Sequence, residues 1–165
     1  LRRTRPDLPL VAVGGSGSPL AGLDLWDDAA FARGQHGDVL AHLARLAEGE
    51  GVEPRAVLLV DAAEDIDDRP VVKALEALAP LAGLRLAVAA EPHTVSKAHS
   101  GWLSALRRNR SALLLQPESA SVAELVVGVK PALRPGQQFP PGRGVLSAQR
   151  RWSLVQVAQP TPPAA

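Results

Sequence analysis

Ala56-Val57-Leu58-Leu59-Val60-Asp61 decides how the chain is read. Five apolar residues in a row, without the polar alternation of a half-exposed strand, suit a strand covered on both faces, as in a parallel sheet. Asp61 then stands at its carboxyl end. On the N-terminal side, Asp38 opens a helical pattern in which Val39, Leu40, Leu43, Leu46 and Ala47 share one face, and Gly49 and Gly51 end it. On the C-terminal side, Asp67 or Asp68 is placed to cap a helix with Pro70 in its first turn and Val71, Leu75, Leu78 and Leu81 on one face, terminated by Gly83. Leu84-Arg85-Leu86-Ala87-Val88-Ala89 reads as the next strand. A helix capped by Thr94 and running to about Asn109 follows, and then a third apolar strand, Ala112-Leu113-Leu114-Leu115. Strands alternating with helices mean βαβ units and a mostly parallel sheet, an α/β fold.

The ends of the chain are less regular. Leu8-Pro9-Leu10-Val11-Ala12-Val13 makes a short strand, Gly14-Gly15-Ser16-Gly17-Ser18-Pro19 must turn, and residues 20–36 show no period. Ser121-Val122-Ala123-Glu124 has capping-box spacing. Residues 131–144 are irregular. Val145-Leu146 and Leu154-Val155-Gln156-Val157 read as a closing β-hairpin around Gln149-Arg150-Arg151, and residues 159–165 as a disordered tail. The expected organisation is a loop-rich segment over 1–37, a folded region over 38–158 and the tail.

Composition removes several classes of function. The 165 residues, 46% hydrophobic and 21% charged, are enough for one ordinary globular domain, which excludes disorder throughout. The net charge of +1 gives no overall field toward nucleic acid or acidic lipid, although a local basic patch is compatible with it. With no cysteine there is no disulfide, thiolate zinc site or cysteine nucleophile. No apolar run reaches the about 20 residues of a membrane-spanning helix, and no apolar region follows the basic Leu1-Arg2-Arg3-Thr4-Arg5 start. The chain holds no methionine and reads as a piece of a longer protein.

Four apolar residues ending in an acid are a Walker B pattern, because such a strand delivers one carboxylate to the sheet edge where it can hold Mg²⁺ directly or through water. Taken alone, an Asp there is more often a loop or capping residue. The partner motif, G-x-x-x-x-G-K-[ST], is missing: no glycine precedes a lysine, and the turn at residues 14–18 has neither a lysine nor a helical pattern directly after it. His36, His42, His93 and His99 come as two pairs six apart, which does not put both on one helical face, and they read as solvated surface residues. Gly101-Trp102-Leu103-Ser104-Ala105-Leu106-Arg107-Arg108-Asn109-Arg110 is the most basic stretch. Its arginines either compensate a helix C-terminus or meet phosphate. Phe139-Pro140-Pro141-Gly142-Arg143-Gly144 is a stiff loop aiming one guanidinium. No carboxylates are spaced as an acid and base pair.

Taken in order, these pieces resemble a known family. Leu58-Leu59-Val60-Asp61-Ala62-Ala63-Glu64-Asp65, Ser100-Gly101-Trp102-Leu103, Leu106-Arg107-Arg108, Ala112-Leu113-Leu114-Leu115-Gln116-Pro117, the Phe139–Gly144 loop and Val155-Gln156-Val157-Ala158 look like the distal half of an FtsK/SpoIIIE-type ATPase domain. The nearest in appearance are actinobacterial members with tandem ATPase domains, including EccC-like motors of type VII secretion. The resemblance covers about residues 38 to 158. Residues 11–25, with the glycine turn and Leu23-Asp24-Leu25, resemble the stretch just before the P-loop strand.

The resemblance implies a three-layer RecA-like fold of the P-loop NTPase type, a ring of such domains, ATP and Mg²⁺, a DNA or secreted-protein substrate, and a cytoplasmic place, membrane-associated only through the rest of a full-length protein. Asp61 falls on the Walker B aspartate, holding Mg²⁺ through water. The following second acid is here Ala62, with Glu64 as a substitute, and Arg107 and Arg143 are the candidates for phosphate. The P-loop strand, the loop and its helix are missing, the gap falling between about Leu25 and Asp38. That strand lies centrally in the family's sheet, so its loss forces other strands to pair or leaves edges open. The expectation is a truncated, degenerate domain that does not hydrolyse ATP and regulates or assembles a DNA- or protein-translocating ATPase beside other ATPase domains. The alternatives are an active ATP-binding translocase or secretion ATPase domain, and an interaction module or remnant with no nucleotide role.

Overall fold

β3 (Ala56–Val60) lies inside a four-stranded parallel sheet with β1 (Leu10–Val13) on one side and β4 (Leu84–Val88) on the other, and β2 (Asp28–Ala30) beside β1. The computed structural model describes residues 4–49, 51, 53–109, 111–128, 130–132, 139–148 and 151–157. They fall into two compact units, residues 1–91 and 92–165.

In the first unit the order β2-β1-β3-β4 buries the unbroken apolar run of β3 as expected: Ala56, Val57, Leu58 and Val60 are all buried. Register pairs Leu10 with Val57 and Ala12 with Leu59, so these side chains share a face, with Leu8 and Trp26 packed over Leu10, Val57 and Leu59. α1 (His36–Ala47) packs on β1, β2 and β3 and against α2 (Arg69–Leu78). α1 buries Val39, Leu40 and Leu43, and α2 buries Val71, Leu75 and Leu78. Asp68 occupies the cap position of α2 without a side-chain hydrogen bond, and Pro70 sits in its first turn. α2 stops at Leu78, short of Gly83, because Pro80 cannot continue it.

β2 is the strand that periodicity does not reveal. It is three residues long and is held by Asp27, whose amide donates to Leu10 O (2.9 Å) while its Oδ2 accepts from Leu10 N (2.7 Å). It occupies part of the 25–38 interval where the resemblance places a missing strand. The sheet has no vacancy there, because β2 pairs directly with β1.

The second unit corrects two expectations. One long helix is instead two, α3 (Pro92–Lys97) and α4 (Gly101–Asn109), broken where Gly101 takes φ +73°; Thr94 lies inside α3 rather than capping it. β5 (Ala112–Leu115) does not extend the parallel sheet. It pairs antiparallel with β6 (Arg143–Ala148), which pairs antiparallel with β7 (Arg151–Gln156). The closing hairpin is thus present, with residues 149–150 outside the described set, as are residue 158 and the expected tail, residues 159–165. α5 (Ala120–Val127) is capped by Ser119, whose Oγ accepts from Val122 N at 3.2 Å, so the cap lies two residues before Ser121. Its Ala123, Val126 and Val127 pack with Leu114 and Val145 as this unit's core.

Candidate functional site

In the first unit the chain leaves β1 toward β2 on one side, and β3 lies on the other. Ligands in open α/β sheets bind outside the carboxyl ends of strands at such a reversal. A cleft of about 320 Å³ opens there, between residues 15–17 after β1 and residues 65–68 after β3, with Arg33 and His36 in its wall.

Asp61 stands at this edge. Its amide donates to Val13 O (2.9 Å), and its Oδ2 accepts a 2.6 Å hydrogen bond from the Ser18 hydroxyl. Ser18 Oγ in turn accepts from Leu20 N (3.2 Å) and caps a single 3-10 turn, Pro19–Gly22. Trp26 Nε1 donates to Leu20 O (2.9 Å) and fastens the far side of that turn. Gly14 leaves no spare room: a Cβ there would sit 3.3 Å from Asp61 O and 3.4 Å from the Phe31 ring. The glycine-rich turn therefore closes onto the Asp61 carboxylate and runs into a 3-10 turn, with no α-helix before α1. Stacked backbone N–H groups at the start of a helix, the usual cradle for phosphate, do not form here.

The electrostatics of the cleft run the same way. Asp65, Asp67 and Asp68 face Arg33, and Arg33 Nη2 is already on Asp67 Oδ1 at 3.2 Å. Three carboxylates against one paired guanidinium leave a negative cleft, which repels a polyphosphate. Among the described residues no three His, Asp or Glu side chains gather to hold a metal ion. The residues present do not fit Mg²⁺-triphosphate.

Glu64 and Arg107 are engaged through their side chains, and Arg143 through its backbone. Ala62 is held at φ +49°, left-handed, and starts the 3-10 turn Ala63–Asp65. Glu64 Oε2 accepts from Glu91 N (3.1 Å), tying that turn to the chain leaving β4. In the second unit, Arg107 Nη1 donates to Ser96 O (2.7 Å) and pins α4 to α3, and Arg108 Nη1 donates to Ser104 Oγ (2.9 Å). Arg143 begins β6, half-buried. Its amide donates to Pro140 O (3.0 Å), and its carbonyl accepts from Gln116 N (2.9 Å). Asp61 and Glu64 belong to the first unit, Arg107 and Arg143 to the second.

His36 departs from the expected surface histidine, and His42, still partly exposed, has a partner. His36 is buried, with Nε2 3.0 Å from Gly14 O. A carbonyl only accepts, so Nε2 carries the hydrogen. His42 Nδ1 meets Asp28 Oδ2 at 2.9 Å and joins α1 to β2. Sequence reasoning also missed Ser18. The signal for both was their place relative to the Gly14–Gly17 turn, one closing it onto Asp61 and the other fixing its first carbonyl.

No protein-family model matches the sequence, and no curated protein matches it. Solved structures do match. EssC (ATPases 2 and 3) from Geobacillus thermodenitrificans superposes with a TM-score of 0.69 at 19% identity, over 93% of this chain and 32% of that one. Thermomonospora curvata EccC (ATPases 2 and 3), in complex with a signal sequence peptide, gives 0.67 at 18% identity, over 94% and 32%. The chain has the fold of these ATPase domains. The cytoplasmic domain of EssC matches likewise, with a TM-score of 0.62 at 15% identity over 90% and 33%. The chain spans about a third of the length of the structures it matches. An EccC/EssC-type fold accounts for the four-stranded parallel sheet and the separate antiparallel hairpin, the truncated RecA-like arrangement that the sequence led us to expect.

Proposed function

We propose that this chain is a degenerate motor-ATPase domain, a non-hydrolysing regulatory or assembly module of a protein- or DNA-translocating ATPase of the EccC/EssC kind. One observation carries the reading. The Asp61 carboxylate, the acid expected to serve Mg²⁺, is taken by the Ser18 hydroxyl at 2.6 Å, beside a glycine turn that leads into a single 3-10 turn and not an α-helix. The negative cleft and the absence of a G-x-x-x-x-G-K motif support it. Residues 38–158 form the ATPase-derived part, Asp61 and Glu64 serve as structural acids, and the Arg107 guanidinium holds α4 to α3 rather than meeting phosphate. Partners are other ATPase domains of the same or a homologous polypeptide, and the place of action is the cytoplasmic side. Among the described residues no helix is long and apolar enough to cross a membrane.

Calorimetry tests this. ATP with Mg²⁺ titrated into the folded chain and into Asp61→Ala should give no binding heat up to millimolar nucleotide. Micromolar binding that weakens in Asp61→Ala refutes the reading and makes this an active nucleotide site.

A further inference from the structure

β6 lies between β5 and β7, and its backbone alternates between them. Gln116 N donates to Arg143 O (2.9 Å), so the odd positions of β6 face β5. Val157 N donates to Gly142 O (2.8 Å), so the even positions face β7. The register pairs Gly144 with Val155, Leu146 with Ser153 and Ala148 with Arg151. Arg151, Ser153 and Val155 are therefore bonded to β6, while Trp152, Leu154 and Gln156 turn their N–H and C=O groups outward. Among the described residues β7 pairs with β6 alone, which leaves six backbone groups in a row along this edge.

Nothing guards the row. Proteins blunt an edge with proline, with charged side chains or with a bulge. The three outward positions hold no proline and no charge, and the register runs without a bulge from Ala148–Arg151 to Arg143–Gln156. The Gln156 side chain turns back to its own chain, its Nε2 donating to Pro141 O (2.9 Å). Every residue of β7 except Val155 is exposed, and Trp152 and Leu154, on one face by the two-residue alternation, are each 42% exposed. β2, at an edge of the parallel sheet, is the opposite case: three residues and an acid, Asp28, bonded to His42.

We propose that this edge joins a second copy of the chain, β7 against β7 in the antiparallel sense about a two-fold axis at Leu154, making one six-stranded sheet. In this register Leu154 meets the second copy's Leu154 and Trp152 meets its Gln156, so all six outward groups of each copy are bonded. Centred one residue to either side, the pairing leaves the groups of Gln156 or of Trp152 beyond the end of the facing strand. The row is thus its own complement in length and in the spacing of donors and acceptors, and a second copy completes it with no segment from elsewhere. The charges are compatible. Arg151 is the one ionisable residue from 151 to 157, and it falls opposite the second copy's Val157. The two Arg151 residues are then about 20 Å apart along the strands, a distance at which salt screens their repulsion. The apolar surface is used as well: the two Leu154 side chains meet, and each Trp152 lies diagonal to the second copy's Leu154. One six-residue strand per copy is a join of less than about 1,200 Å², the size of weak, reversible associations.

Sedimentation and amide exchange of the whole chain test this without nucleotide, so it can fail while the non-hydrolysing reading stands. Raising the protein from about 10 μM to about 1 mM should convert monomer to dimer, with a Kd of about 0.1 mM. Over that range the Trp152, Leu154 and Gln156 amides should slow about fivefold in exchange, while those of Ser153 and Val155, bonded to β6, keep their rates. Leu154→Lys and Leu154→Glu each set like charges face to face across the axis, and each should weaken association at least about tenfold. Unchanged exchange at Ser153 and Val155 shows that β6 and β7 remain paired in each variant. An equal mixture of the two variants should associate again, because position 154 faces itself only about this axis. A wild-type chain that stays monomeric at about 1 mM, a mixture of folded variants that does not associate, protection at Leu86 and Val88 of β4 in place of β7, or growth beyond a dimer would each overturn the proposal.

Discussion

Removing the Asp61 carboxylate separates a structural acid from a catalytic one. The 2.6 Å bond from Ser18 is short, partly buried and made to an ionised group, the kind worth about 1.5–3 kcal/mol. Ser18 also caps the Pro19–Gly22 turn, and losing such a cap costs about 1 kcal/mol. Asp61→Ala should therefore destabilise the first unit by about 2 kcal/mol and Ser18→Ala by about 2–3, because the latter loses both bonds. The double variant should cost clearly less than the sum, with a coupling of about 1–2 kcal/mol. Urea titration followed at the Trp26 indole resonance reads this directly, because Trp26 Nε1 donates to Leu20 O in the turn that Ser18 caps. An Asp61 kept only for a nucleotide would leave stability unchanged when removed. A coupling below about 0.3 kcal/mol, the usual additivity error, would refute the structural account.

Three further outcomes follow from the packing and the charges. Leu75→Ala empties a fully buried position on α2 and should cost about 2–5 kcal/mol in urea unfolding. Gly144→Ala places a Cβ 2.4 Å from Leu114 O, a backbone atom that cannot swing aside. It should destabilise the second unit by about 1–3 kcal/mol and weaken the β5–β6 pairing, seen as faster amide exchange in Leu114 and Gln116. The Asp7 carboxyl is held below its ordinary value, first by the hydrogen bond from Arg5. Arg5→Gln should raise its NMR titration midpoint toward the ordinary carboxylate value, because the loss of that bond removes the preference for the charged form.

The hydrophobic pattern made the core of the parallel sheet legible. β3, β4, α1 and α2 follow from runs and periods that depend only on neighbouring residues, and Leu40, Leu43, Leu58 and Leu75 are buried where the pattern puts them. β2 was not legible, because its three residues are held by the two bonds between Asp27 and Leu10, seventeen positions apart. The direction of β5 was equally hidden. Ala-Leu-Leu-Leu reads the same in a parallel or an antiparallel ladder, and its partner comes about thirty residues later, across a stretch with no period. At the candidate site, the type and place of Asp61 could be read, but not its occupancy. That depends on a serine 43 positions earlier swinging back across the strand end. The break between α3 and α4 was signalled by Gly101, a residue that can also sit within a helix at modest cost.

Ala62 shows how backbone geometry restricts which side chain can serve at a position. Its left-handed backbone costs an L-residue about 1–2 kcal/mol, and that conformation directs the chain from Asp61 into the turn that carries Glu64. A single codon change placing an acid here would inherit that geometry. Glutamate has no special tolerance for it, whereas aspartate and asparagine visit it more readily. An acid useful beside Asp61 therefore asks for a change of backbone conformation before the side chain can serve.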